Sequence, residues 1–137
     1  MQFSLVDRVV ERSEDRIVAA KHVSLAEEYL QDHFPTFPVL PGVMMIEAMV
    51  QAARNLLADR VQQPLVLGGV KALKYGAMVR PGQVLEVDVT VKNVGEDGVC
   101  DCRGVGRVYT PAAAESDESV NHETAVSGRF TMRPIQI

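Results

Sequence analysis

The sequence has no apolar run long enough to cross a membrane. Its most hydrophobic stretch, Val43 to Ala53, is interrupted by Glu47 and Gln51 and is well short of the roughly 20 residues that a transmembrane helix needs. The sequence also does not begin with the basic and apolar segments of a secretory signal. We therefore expect a cytoplasmic protein without a membrane span.

Cysteine is scarce, with Cys100 and Cys102 as the two occurrences. On one face of a strand their Cα atoms would lie roughly 6.5–7 Å apart, which is near the upper limit for a disulfide. A metal site would need a second cluster of ligands, and the sequence does not offer one. We expect two reduced structural thiols and no bound metal.

The sequence also has no excess of basic residues. It contains 14 basic and 18 acidic residues, which gives a net charge of −4. Non-specific nucleic-acid binding needs a clustered basic surface, so we do not expect a nucleic-acid partner. A chain of 137 residues with 47% apolar residues is long enough to bury one core. We predict a single domain over residues 1–137.

The alternation of apolar and polar residues is clearest from Val84 to Lys92, which predicts a half-buried β-strand. Val99 to Tyr109 follows a turn-rich segment and is its predicted hairpin partner. Further strands are predicted at 4–11, 16–23, 65–78 (with a break at Gly68 and Gly69) and from His122 or Thr124 to Met132. These strands and one long helix predict an α+β fold.

Two other segments have a different character. Ser24 and Glu27 form a capping box, which predicts a short helix ending near Gln31. Residues 111–123 are rich in alanine, serine and acidic residues without apolar periodicity, which predicts a mobile excursion.

The long helix is predicted to begin at Pro41, since proline suits the first helical turn. Its residues are apolar on almost every side, so we expect a core helix covered by the sheet. Glu47 then needs an explanation, because a carboxylate in an apolar interior must be paired or neutral. Gln51 lies on the same helix face four residues later, and Asn55 extends the same line.

A histidine and a desolvated carboxyl can move protons as a base and an acid. His33 lies in a proline-rich loop just before the helix, and the N–H groups of Gly42 and Val43 are free to bind an oxyanion at the helix start. From the residues alone, two other interpretations stay open. His33 could be an ordinary loop residue, and Glu47 could form a salt bridge at a subunit interface.

The segment from 33 to 51 resembles, without a gap, the signature of the FabZ type of β-hydroxyacyl-acyl-carrier-protein dehydratases of fatty-acid synthesis. These proteins have the hot-dog fold, in which a long central helix is wrapped by an antiparallel sheet. The matching residues are His33-Phe34-Pro35, Pro38-Val39, Pro41-Gly42-Val43, Glu47-Ala48 and Gln51. Weaker similarity covers Gly68-Gly69-Val70 and Arg80-Pro81-Gly82-Gln83.

The resemblance implies a role for each of five residues. His33 removes the α-proton of a 3-hydroxyacyl thioester, and Glu47 protonates the departing hydroxyl. The N–H of Gly42 polarises the thioester carbonyl, the carbonyl of Val39 orients the His33 ring, and Gln51 orients Glu47. A glutamate at position 47 fits the branch that dehydrates without moving the double bond.

The resemblance further implies a homodimer or a trimer of dimers, because the histidine and the carboxyl of one site come from different subunits. No cofactor is implied, and the substrate would be carried by acyl carrier protein or coenzyme A.

The sequence departs from the family at Thr36, where glycine is usual, and at Gly76-Ala77, where basic residues are usual. Because carrier protein is acidic, the second change weakens the expected docking patch. Four basic residues are candidates to compensate: Lys71, Lys74, Arg80 and Arg133. Two alternatives to a dehydratase follow, a hot-dog thioesterase and a non-catalytic subunit that binds acyl thioesters.

Overall fold

The computed structural model describes residues 5–24, 39–111 and 121–135. These residues form six strands and one helix. In chain order they are β1 (Arg8–Arg12), β2 (Arg16–His22), α1 (Gly42–Leu57), β3 (Leu65–Tyr75), β4 (Val84–Val94), β5 (Cys100–Tyr109) and β6 (Glu123–Pro134).

The six strands form one sheet in the order β1-β2-β4-β5-β6-β3, and every neighbouring pair is antiparallel. The first strand after the helix, β3, therefore lies at an edge of the sheet and pairs with β6, the last strand in the chain. Two register shifts interrupt this pairing, between Leu67 and Gly69 and between Lys71 and Lys74. The break that the two glycines predict is confirmed by the first of these shifts.

Helix α1 packs across one face of the sheet. In β4 the buried residues alternate with less buried ones, as the sequence pattern predicts, and the buried ones face the helix. Eight residues of α1 are buried: Met45, Ala48, Met49, Val50, Ala52, Ala53, Leu56 and Leu57. Each large side chain among them contributes about 1.5–3 kcal/mol through burial. The result is the α+β hot-dog architecture.

A glycine lets the helix approach the sheet closely. A side chain at Gly104 in β5 would run into the Sδ atom of Met49 and would lie 3.3 Å from the ring of Phe130. The absence of a Cβ at this position therefore sets the distance between the two layers.

The predicted hairpin at the start of the chain is confirmed by the pairing of β1 with β2, and the predicted partner of β4 is confirmed by β5. Cys100 and Cys102 are free and buried, as expected. The predicted helix that ends near Gln31 and most of the excursion at 111–123 lie outside the described residues.

The expectation that α1 is covered on all sides is wrong for the single chain. The side chain of Glu47 is 43% exposed and Val43 is 68% exposed. One helix can turn only part of its surface toward one sheet, and apolar composition alone does not say which part. No helix among the described residues has the length and apolar character to span a membrane.

Candidate active site

The start of α1 has two backbone donors that no described residue accepts. Pro41 is the N-cap with φ −60° and ψ 145°, and its carbonyl accepts the N–H groups of Met44 at 3.0 Å and Met45 at 3.3 Å. Within the described part of the chain, the N–H groups of Gly42 and Val43 have no acceptor. They are the donors nearest the positive end of the helix dipole, so an anionic oxygen placed there would be stabilised.

The segment before the helix is held by the connection between β3 and β4. The Leu40 N–H donates to the Val79 carbonyl at 2.8 Å, and Val39 is buried with 7% exposure. His33, the predicted base, lies outside the described residues, so its predicted contact with the Val39 carbonyl stays a prediction.

Glu47 lies on α1 about 7.5 Å along the axis from Gly42. The Nε2 atom of Gln51 lies 3.4 Å from its Oε1 atom, which is the contact that the four-residue spacing predicts. The Nη1 atom of Arg54 lies 3.7 Å from the same oxygen. The carboxyl therefore contacts an amide and a guanidinium, while the Glu47 side chain as a whole stays 43% exposed.

The orientation of the Gln51 amide is fixed from outside the helix. Its Oε1 atom accepts the Leu5 N–H at 2.7 Å. Because one end of an amide accepts and the other donates, this bond turns the NH₂ group of Gln51 toward Glu47.

Asn55 does not belong to this arrangement, although the sequence pattern extends the polar line to it. Its Oδ1 atom accepts from Nη1 of Arg12 at 3.2 Å, and Arg12 also pairs with Asp59 at 3.3 Å. Asn55 thus ties the helix to β1 and does not reach Glu47, unlike Gln51 and Arg54.

Two residues near the site were not identified from the sequence. The first is Tyr75, the last residue of β3, whose ring lies against Gly42. A Cβ atom added to Gly42 would lie 2.9 Å from the Tyr75 hydroxyl. The two residues lie far apart in the chain, and no local pattern signals such a contact.

The second is Arg54, which donates from Nε to the Leu65 carbonyl at 2.9 Å in addition to its approach to Glu47. A signal for it was present in the sequence. Residues seven positions apart lie almost on the same side of a helix, and Arg54 follows Glu47 by seven. From the sequence we considered only residues four positions apart and therefore did not include Arg54.

A half-exposed carboxyl, oriented by neighbouring side chains and about 7.5 Å along the helix from N–H groups that no described residue accepts, can exchange a proton while an oxyanion at the helix start is stabilised. The fold and this site together define a hot-dog protein equipped for acid–base chemistry.

Comparison with known proteins narrows this class. The ApeI-like family, described as the ApeI dehydratase, matches residues 9–103. A 3-hydroxyacyl-[acyl-carrier-protein] dehydratase FabZ of Thermotoga neapolitana is 38% identical over 115 residues, which cover 83% of this chain and 82% of the relative. The FabZ of Lactococcus lactis subsp. cremoris is 33% identical over 132 residues, covering 94% and 83%. The chain belongs to the β-hydroxyacyl-acyl-carrier-protein dehydratase family.

Solved structures agree on the fold. The dehydratase heterocomplex ApeI:P from Xenorhabdus doucetiae matches with a TM-score of 0.65 at 16% identity, covering 96% of this chain and 99% of that chain. A mutant of the fluoroacetyl-CoA thioesterase FlK in complex with fluoro-acetate matches with a TM-score of 0.66 at 16% identity, covering 91% and 90%. At this identity the likeness concerns the fold alone.

Proposed function

We propose that this protein dehydrates 3-hydroxyacyl thioesters to trans-2-enoyl thioesters in fatty-acid or related lipid biosynthesis. The observation that carries the proposal is the placement of the Glu47 carboxyl on the helix whose first N–H groups, at Gly42 and Val43, are unpaired among the described residues. Membership of the dehydratase family supports it.

In the proposed mechanism His33 removes the proton from carbon 2, and the electrons of that C–H bond form the new double bond. The Gly42 N–H donates to the thioester carbonyl oxygen and stabilises the negative charge that develops there. The C–O bond at carbon 3 breaks, and Glu47 gives its proton to the departing hydroxyl, which leaves as water. The role of His33 rests on the family motif.

The proposal includes a homodimer formed along β3. One side of this strand pairs with β6, and no described strand pairs with its other side. Val70 and Tyr75 on this strand are exposed. A long edge strand with exposed apolar residues invites pairing with another strand, and a second copy of β3 offers a matching edge.

The proposed carrier is an acidic acyl carrier protein, and the outer face of the sheet supports this choice. Lys71 pairs across strands with Arg129, and Arg129 pairs with Arg103. Lys74 joins both arginines in lining a shallow cavity of about 300 Å³. We call these four residues the basic face. No described carboxylate lies within 4.0 Å of them, so their charge is available to a partner.

We also propose that one domain spans residues 1–137 and that the protein is cytoplasmic. The two free, buried thiols of Cys100 and Cys102 are consistent with a reducing compartment.

The test is enoyl absorbance measured on a panel of 3-hydroxyacyl thioesters, each carried by acyl carrier protein and by coenzyme A. We expect turnover by the wild type and a loss of at least about a hundredfold in His33→Ala and Glu47→Gln, since each removes one proton-transfer group. Asn55→Ala, one helical turn beyond Gln51, is the matched control and should stay active. Near-wild-type rates in either site variant would contradict the proposed roles.

The same panel separates the alternatives. Release of free thiol without enoyl product would identify a thioesterase instead. Tight binding of the thioester without either product would identify a non-catalytic binding subunit.

A further inference from the structure

The contacts of Glu47 distinguish its two carboxyl oxygens. Both donors that reach the carboxyl from the described residues, Nε2 of Gln51 at 3.4 Å and Nη1 of Arg54 at 3.7 Å, lie at Oε1. The Gln51 amide is within hydrogen-bonding distance and the guanidinium makes an ion-pair contact, and an oxygen that accepts a hydrogen bond and faces a cation is the less favourable place for a proton. When the carboxyl is protonated, the proton therefore resides on Oε2.

Arg54 is itself anchored at a second point. Its Nε donates to the carbonyl of Leu65, the first residue of β3, at 2.9 Å. A guanidinium is planar and rigid, so fixing Nε on this carbonyl also fixes the direction of Nη1. The first residue of β3 thereby determines where the guanidinium of Arg54 contacts Glu47.

We propose that Arg54 is a positioning residue for the dehydration, a role that rests on the proposed function. Together with Gln51 it holds Oε1 as the acceptor and directs Oε2, with its proton, toward the hydroxyl on carbon 3 of the substrate. The proton moves from Oε2 to that hydroxyl as the C–O bond breaks, and Glu47 is left as a carboxylate. Its negative charge then faces the guanidinium of Arg54, which stabilises the product state.

Charge alone does not fulfil this role. A lysine at position 54 supplies one ammonium, which cannot bond the Leu65 carbonyl and approach Glu47 in the same fixed geometry. The role therefore requires the fork of the guanidinium, and this requirement separates positioning from a general electrostatic effect.

The test compares Arg54→Met, Arg54→Lys and Arg54→Gln with the wild type in the enoyl assay, with thermal unfolding measured alongside. We expect kcat to fall about tenfold to a hundredfold in all three variants, because a misplacement of about 1 Å is enough for such a loss. KM should change less than threefold, since the proposed role of Arg54 is to orient Glu47 and not to bind the thioester handle. Arg60→Met is the matched control, because Arg60 forms an ion pair with Asp15 at 2.7 Å and is not among the residues that reach Glu47.

Chemical rescue distinguishes positioning from folding. Added guanidinium ion at low millimolar concentration should restore part of kcat to Arg54→Met and none to Glu47→Gln. A wild-type kcat in Arg54→Met, a full recovery by Arg54→Lys or a loss equal to that of Arg60→Met would each overturn the role of Arg54. An inactive wild type would overturn the proposed dehydration instead, so the two failures can be told apart.

Discussion

The ring of Tyr75 lies directly against the Cα atom of Gly42, so that a Cβ atom added there would come within 2.8 Å of Cε1 and Cζ. Backbone angles do not explain this glycine. Among the described glycines, positive φ occurs at Gly82 and Gly98 and not at Gly42. Glycine at the start of α1 lets the half-exposed Tyr75 ring lie against the backbone, so a Cβ atom there would force the ring or the helix start to move.

We therefore predict that Gly42→Ala lowers kcat/KM at least about tenfold, because the ring or the helix start must move and the oxyanion donor moves with it. Thermal unfolding should show a loss of about 1 kcal/mol, at the low end of the usual cost of overpacking, because the half-exposed ring can shift.

The double variant Gly42→Ala with Tyr75→Ala tests the cause. In the Tyr75→Ala background, Gly42→Ala should cost much less stability than it does in the wild type. A double-mutant cycle measures this difference. Additive losses would show that the contact does not require glycine.

The basic face brings like charges together, since Arg103 and Arg129 are direct cross-strand neighbours. We predict that Arg103→Gln leaves the free energy of unfolding unchanged or raises it by a few tenths of a kcal/mol, because like charges in this position repel. KM for the carrier-bound thioester should rise severalfold and become less sensitive to salt.

Arg8→Gln removes an exposed cation from β1, at the opposite edge of the sheet, and should leave KM unchanged. An equal rise in KM for the coenzyme A thioester in Arg103→Gln would show that the face recognises phosphate groups and not the carrier protein.

Burial raises the pKa of the Cys102 thiol to about 12 from its ordinary value of 9.0. Below pH 9 the thiol is protonated in both the folded and the unfolded chain, so it does not make the free energy of unfolding depend on pH. Between these two values the unfolded chain loses the proton and the folded chain keeps it. The thiol therefore lowers the free energy of unfolding by up to roughly 1.4 kcal/mol for each pH unit.

Urea unfolding at about pH 8 and about pH 10 measures this dependence, with Cys102→Ala as the comparison. The variant should lose about 1 kcal/mol less than the wild type over this interval. Lysine and tyrosine titrations are common to both proteins and cancel. Identical losses would contradict the buried state of the thiol.

Crowding at position 76 explains why glycine stands there, where the family usually has a basic residue. A side chain there would run into the carbonyl of Thr124, which is held in place because it accepts the Ala77 N–H at 2.9 Å. We predict that Gly76→Ala costs about 1–3 kcal/mol in urea unfolding.

Gly69 is the matched control on the same side of the molecule. The nearest atom to an added Cβ lies 3.9 Å away, so Gly69→Ala should be neutral or stabilising by up to about 1 kcal/mol. Equal effects of the two substitutions would show that crowding does not determine the residue at position 76.

The strands and the start of the helix follow from local signals. The alternation in β4 and the proline at 41 each act over a few residues. The structure agrees with the first, and it begins the helix one residue later than predicted, at Gly42, with Pro41 as the extended N-cap. The exposure of Glu47 cannot be predicted from local sequence signals, because it depends on which side of α1 packs against the sheet. The contact between Tyr75 and Gly42 was also not predictable from the sequence, since the two residues are distant in the chain.

Gln51 takes its orientation from the backbone of Leu5, which lies almost at the beginning of the chain. The last described residue, Ile135, is linked to the same carboxyl by another route, because its N–H donates to the carbonyl of Pro64, next to the Leu65 carbonyl that accepts from Arg54. Glu47 is therefore steadied from both ends of the described chain, and loosening either terminal segment should disturb the same candidate acid.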